Sequence, residues 1–159
     1  MHVRIAPLPG AFLARVRTAG LDDLGQPVRR LRAEGGEPCR DVLRRARAGE
    51  ALLLASFCPF ALAGPYREYG PVFVLANASA EPVARDRLPR ADGSAEAYVR
   101  DRLALRAYGP DESILDAALV GAGALGDEAA RLLARPDVAF VHARFPVYGC
   151  FACRIERAT

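Results

Sequence analysis

The stretch Ala51-Leu52-Leu53-Leu54-Ala55-Ser56-Phe57 carries the strongest structural signal in the sequence. Apolar residues occupy both sets of alternating positions, which is the pattern of a strand buried on both faces. We therefore expect this strand to lie inside a sheet and not at its edge. Val72-Phe73-Val74-Leu75 repeats the pattern. The segment between the two strands is rich in Gly and Pro, which predicts a loop over 59–71.

Weaker patterns on either side of this pair predict the rest of the fold. Strand-length runs lie at Val3–Leu8, Val28–Ala33, Leu103–Tyr108, Ile114–Val120, Val138–His142 and Cys150–Ile155. Helical patterns lie at Ala11–Leu24, from Ser94 through Arg102, and at Asp127–Arg135, with Asp127 placed to pair with Arg131. Because the helices do not alternate regularly with the strands, the sequence predicts an α+β fold. We expect a single domain over residues 1–159, with a largely antiparallel β-sheet and two or three helices.

The composition is that of a globular protein without a membrane segment. The chain has 159 residues, of which 52% are hydrophobic, and this length suits one domain. No apolar run reaches the 18 or more residues of a transmembrane helix. Pro7, Pro9 and Gly10 interrupt the stretch where a signal peptide would need continuous apolar residues. These features predict a soluble cytoplasmic protein.

The charge is positive but modest, and it is carried by arginine alone. All 22 basic residues are arginines, and the formal net charge is +3. That value is too small for a dedicated nucleic-acid-binding protein, so nucleic acid is not expected as a partner. The excess lies between Arg29 and Arg47. A solvated rim is the favoured interpretation, and a patch that faces an anionic partner is the alternative.

Four cysteines are present, and the sequence predicts that they are free thiols. With no export signal, buried thiols that act as small apolar residues are the default for Cys39, Cys58, Cys150 and Cys153. Cys150 and Cys153 form a Cys-x-x-Cys pattern, but they lie in a predicted strand, where their side chains would point to opposite faces. No metal and no cofactor are therefore predicted.

One hypothesis for the function is an enzyme with a cysteine nucleophile and a histidine base. Cys39 or Cys150 would be the nucleophile and His142 the base. The sequence supplies both residue types but says nothing about their distance. His142 lies in an apolar strand, which favours a core histidine over a catalytic one.

The favoured hypothesis is a binding domain for a small anionic ligand. The loop Gly64–Pro71 is stiffened by Gly and Pro and presents Tyr66 and Arg67 between two buried strands. Rigid aromatic rings and a forked cation suit recognition of a carboxylate or phosphate. A structural role is the alternative, with Arg67 paired to Glu68 or to a backbone carbonyl. The candidate ligand-binding residues are Cys39, Arg40, Tyr66, Arg67, His142 and Cys150.

A third hypothesis is an interaction module that contacts nucleic acid or protein through the patch Arg29–Arg47. Steeply salt-dependent binding would distinguish it from the other two hypotheses. The sequence predicts neither the oligomeric state nor the identity of a ligand.

Three segments carry a family resemblance. They are Pro38-Cys39-Arg40 with the strand Leu52–Phe57, then Pro65–Val74, and finally Val138–His142 with Gly149-Cys150-Phe151-Ala152. Together they resemble the domain of unknown function 1203 family of small bacterial proteins. The resemblance implies no reaction and no cofactor. Similar proteins often have His-x-His-Asn where this chain has His142-Ala143-Arg144-Phe145, so a role for paired histidines is not expected to carry over.

Overall fold

The computed structural model describes residues 2–89 and 92–158, which form ten strands and two α-helices. The strands are β1 (Val3–Ala6), β2 (Arg29–Arg32), β3 (Pro38–Cys39), β4 (Arg44–Arg45), β5 (Ala51–Phe57), β6 (Gly70–Leu75), β7 (Arg102–Tyr108), β8 (Ile114–Gly121), β9 (Phe140–Arg144) and β10 (Phe151–Arg157). The helices are α1 (Gly10–Ala14), continued by a π-helical turn over Arg15–Ala19, and α2 (Leu125–Leu133). The α+β class is confirmed.

The strands form two sheets, where the sequence predicts one. Sheet 1 has the order β1-β10-β9-β7-β8, and its neighbouring strands are antiparallel. Sheet 2 has the order β2-β5-β6-β3-β4. Its pairs are antiparallel except that Cys39 of β3 lies parallel to Phe73 of β6. Both hairpins predicted in the second half of the chain are present, β7 with β8 and β9 with β10.

Sheet 1 builds the larger core by packing one face against α2. Acidic residues Asp127 and Glu128 lie in the first turn of α2, where they complement the positive end of the helix dipole. The helix buries Leu125, Ala129, Leu132 and Leu133 against residues such as Leu105 and Val141 of sheet 1. The predicted pair of Asp127 with Arg131 is not formed. Arg131 instead contacts Glu128 at 2.6 Å and Asp116 at 3.7 Å.

The strand β5 packs against buried residues on both of its faces, as its composition predicts. Leu53, Ala55 and Phe57 of β5 pack with α1 and with Phe151 of β10, so this second core joins the two sheets. On the opposite face, Leu52 packs with Cys39 and neighbouring small residues. The strand β5 lies between β2 and β6 and is therefore not an edge strand.

Two helix predictions need correction. The first helix stops well before Leu24, because Gly20 adopts a left-handed φ of +66° that ends it. The predicted helix from Ser94 is absent, and the segment runs as turns. Tyr98 is buried in the core of sheet 1 and donates a 2.6 Å hydrogen bond to the Ala152 carbonyl, so tertiary contacts override the local capping signal. Of the described helices, none is long and apolar enough to cross a membrane.

Candidate functional site

A row of basic side chains lies on the face of sheet 1 that α2 does not cover. Residues Leu105 and Val141 pack in the core on the α2 side, so the alternate residues of β7 and β9 point the other way. In register, Arg106 lies opposite His142, and His142 lies opposite Arg154. Arg144 follows two residues after His142 and shares its face. We call this surface the polar face of sheet 1.

A cavity of about 180 Å³ opens beside this face. One wall is the loop before β6, with Glu68 and Tyr69, and the opposite wall is the turn before β10, with Tyr148 and Cys150. Arg144 also lines the cavity, which we call the Arg144 cavity. It therefore joins a loop of sheet 2 to a strand of sheet 1.

Arg144 is 5% exposed, which is unusual for a charged side chain. Its Nη1 donates to the Gly149 carbonyl at 3.1 Å, and its Nη2 donates to Oε1 of Glu68. Its Nε has no hydrogen-bond partner among the described residues. Nη1 of Arg106 lies 3.6 Å from the same Glu68 oxygen. Two guanidinium groups thus share one carboxylate oxygen at the wall of the cavity.

Arg40, a predicted ligand-binding residue, is buried behind the cavity and is 2% exposed. Its Nε donates to the Phe151 carbonyl at 2.8 Å and its Nη1 to the Pro38 carbonyl at 2.6 Å. Its Nη2 donates to Sγ of Cys150 at 3.2 Å. Each guanidinium nitrogen already has a protein partner, so Arg40 positions Cys150 and the start of β10.

His142 is 0% exposed and lies in a cage of aromatic rings. Its ring centroid is 4.9 to 5.3 Å from those of Phe60, Tyr108, Phe140 and Phe151. Burial first, and then the neighbouring arginines, hold its pKa well below the usual range, so the ring is neutral near pH 7. Neither ring nitrogen has a hydrogen-bond partner among the described residues.

The cysteines divide into two buried and two partly exposed thiols, and all four are free. Burial is the main reason that the pKa of Cys39 and that of Cys153 are each raised to about 12. Since His142 makes no hydrogen bond within the described chain, the structure forms no thiol–imidazole pair with Cys39 or Cys150. Cys150 is the thiol that lines the Arg144 cavity.

Tyr66 and Arg67 lie outside the Arg144 cavity, on the exposed part of the loop. Arg67 donates to the Leu62 carbonyl at 3.0 Å and to the Tyr69 hydroxyl at 3.4 Å. Its guanidinium also lies over the Tyr69 ring, 5.7 Å from the centroid. The structural alternative, in which Arg67 bonds a backbone carbonyl, is the arrangement observed.

The segment Arg29–Arg47 does not present its arginines together. Arg29, Arg30 and Arg32 lie exposed on β2, an edge strand. Farther along, Arg44 contacts Glu50 and Glu81, each at 2.8 Å. Arg47 contacts Glu96 at 2.5 Å. These ion pairs account for part of the positive charge that the sequence concentrates in this segment.

Sequence reasoning missed Glu68 and Arg144, which line the Arg144 cavity, and Arg106, which contacts Glu68. Glu68 belongs to the predicted site loop and was considered only as a partner of Arg67. The signal for Arg144 was its spacing of two from His142, which places both side chains on one face of a strand. Arg106 could not be assigned, because its register with β9 follows from the fold alone.

Comparisons with known proteins agree with the resemblance seen in the sequence. A family model described as "Protein of unknown function (DUF1203)" matches residues 36–157, which include every residue that lines the Arg144 cavity. A search of curated proteins and a search of solved structures each find no match. The family description assigns no ligand and no reaction. The match spans more than half of the sequence, and the chain therefore belongs to the DUF1203 family.

Proposed function

We propose that the protein binds a small anionic ligand, with a carboxylate as the preferred group, at Arg144 in the Arg144 cavity, together with Arg106, which contacts the same Glu68 oxygen from beyond the cavity lining. The observation that carries this proposal is the pair of guanidinium groups around one oxygen of Glu68. Arginine forks match the planar geometry of a carboxylate. The contacts of Glu68 with both arginines support a carboxylate at this position, and the ligand would displace the Glu68 side chain.

The charge balance of the polar face supports an anion. Four arginines share two glutamates there: Arg4, Arg106, Arg144 and Arg154 with Glu68 and Glu156. Keeping a buried guanidinium is costly unless an anion compensates it. A bound carboxylate would keep the charge of Arg144 compensated when it takes the place of Glu68.

This proposal retains the class of ligand that the sequence suggests, but it assigns binding to different residues. Arg40 positions Cys150 and does not contact the ligand itself. Tyr66 and Arg67 belong to the exposed part of the loop. Cys150 remains as part of the wall. We also infer a bacterial cytoplasmic location, because a reducing compartment preserves partly exposed free thiols such as Cys58 and Cys150.

Calorimetric titration of acetate, and separately of inorganic phosphate, tests the proposal. We expect Glu68→Gln to bind acetate more tightly than wild type, since the internal competitor is removed. Arg106→Met should weaken acetate binding by about tenfold, the loss of one charged hydrogen bond. Arg102→Met is the matched control, since Arg102 lies on the same strand and contacts Asp101 instead of Glu68. Equal losses in both Met variants, or no acetate binding by Glu68→Gln, would contradict the proposal.

A further inference from the structure

A second cavity, of about 310 Å³, lies on the other side of Pro59. The chain before α1 contributes Leu8 between two prolines, and the loop after β5 contributes Phe60 and Ala61. Among the described residues, its lining holds one charged side chain, Arg154. We call it the apolar cavity.

The two cavities adjoin each other. Phe57, Pro59 and Phe151 line both of them. The rings of Phe57 and Phe151 meet edge to face, with centroids 5.3 Å apart. The two cavities therefore share one wall, which includes these two rings and Pro59.

Arg154 does not make the second cavity an anion site. Its Nε donates to Glu156 at 2.7 Å. Its guanidinium carbon lies 3.8 Å from the centroid of the Phe140 ring, a close cation–π contact. Arg154 is thus engaged by Glu156 and by the Phe140 ring, and the rest of the described lining carries no charged side chain. The distribution of charge therefore favours the anionic group of a ligand at Arg144 and Arg106. The apolar part of the ligand would then lie in the apolar cavity.

We propose that the ligand is a monocarboxylate with an unbranched apolar chain of several carbons. The carboxylate binds Arg144 and Arg106, and the chain crosses Pro59 into the apolar cavity. This inference rests on the proposed function and adds the class of ligand. The two cavities, of about 180 and about 310 Å³, together fall in the roughly 300–1,000 Å³ range of small-molecule sites.

The test is a binding series of acetate, butanoate, hexanoate and octanoate against three proteins. They are wild type, Ala61→Trp and the control Ala63→Trp. Both alanines are exposed in the same loop, and Ala61 lines the apolar cavity. In wild type and in Ala63→Trp, affinity should rise by about fourfold per added methylene. In Ala61→Trp, acetate should bind as in wild type, while the rise with chain length is lost.

Thiol labelling gives an independent readout, because one partly exposed cysteine lies in each cavity. Cys150 lines the Arg144 cavity, and Cys58 lines the apolar cavity. Acetate should slow the labelling of Cys150 alone, whereas octanoate should slow the labelling of both thiols.

The outcomes separate the inference from the proposed function. Acetate binding with no gain along the series would leave the anion site standing and overturn the apolar chain. Tighter binding of octanedioate than of octanoate would also overturn it, since Arg154 would then receive a second anion. If no carboxylate binds to wild type, both proposals fail together.

Discussion

The two buried arginines of the described chain, Arg40 and Arg144, differ in what their nitrogens contact. Arg40 donates from each nitrogen to a protein group and holds β10 against the β3 turn. Arg144 keeps its Nε without a protein partner, and it lines a cavity. Burial alone therefore does not mark a functional arginine. Arg144 is distinguished by lining a cavity while a carboxylate is the partner of its Nη2.

Replacing Arg40 tests its structural role. Arg40→Met removes the donors to the buried carbonyls of Pro38 and Phe151, and an unsatisfied buried acceptor is costly. We expect the free energy of unfolding in urea to fall by about 3 kcal/mol. Arg67→Met, at an exposed position, should leave it unchanged within measurement error. Similar losses in the two variants would contradict this assignment.

The caged histidine makes stability depend on pH in a predictable direction. The pKa of His142 is depressed in the folded protein, so the unfolded chain binds a proton first as the pH falls. Stability is thus retained above pH about 6.5 and is lost below it, by about 1.4 kcal/mol per pH unit until the folded pKa is reached. His142→Phe should lack this contribution. Urea unfolding of both proteins between pH 7.5 and 5.5 checks it, and parallel curves would refute it.

At the scale of elements, the sequence predicts strands and helices that have a long hydrophobic pattern. It misses elements that are short or that depend on tertiary contacts. The strands β5 to β8 follow from their apolar runs. Strands β3 and β4 have two residues each, which is too short for any periodicity to predict them, and the division of the strands into two sheets depends on tertiary contacts. The candidate site was predicted only in part, because some of its residues are brought together by tertiary contacts. The loop before β6 was found, whereas the alignment of Arg106 with β9 required the sheet.

One side chain of the β7–β8 turn anchors two backbone groups of the loop over 58–63. Glu112 is buried and has a left-handed φ of +62°. Its carboxylate accepts from the backbone N–H groups of Ala61 at 2.9 Å and Leu62 at 2.8 Å. These contacts place Phe60 over His142 and set one wall of the apolar cavity.

Weakening this anchor should loosen the loop. Glu112→Gln exchanges one acceptor oxygen for an NH₂ group that opposes a backbone N–H, so we expect a loss of about 2 kcal/mol in unfolding free energy. Amide hydrogen exchange at Ala61 and Leu62 should accelerate. The neighbouring exposed substitution Asp111→Asn serves as the control and should leave both amides protected. Unchanged protection in Glu112→Gln would show that the loop is held by other contacts.

At the scale of the whole molecule, the candidate site exists because two sheets meet. The polar face of sheet 1 would be open to water without the loop that connects β5 to β6 of sheet 2. That loop carries Glu68 to Arg144 and also provides Pro59 between the two cavities. Ligand binding should therefore couple the loop to both sheets.

The central claim is that Arg144 and Arg106 bind a carboxylate, and arginine side-chain NMR tests it most directly. Acetate would be titrated into ¹⁵N-labelled Glu68→Gln while the Nε–Hε resonances are recorded. We expect saturable shifts of Arg144 and Arg106, and no saturable shift of Arg102. If Arg144 and Arg106 stay fixed while exposed arginines such as Arg30 respond, the account is wrong.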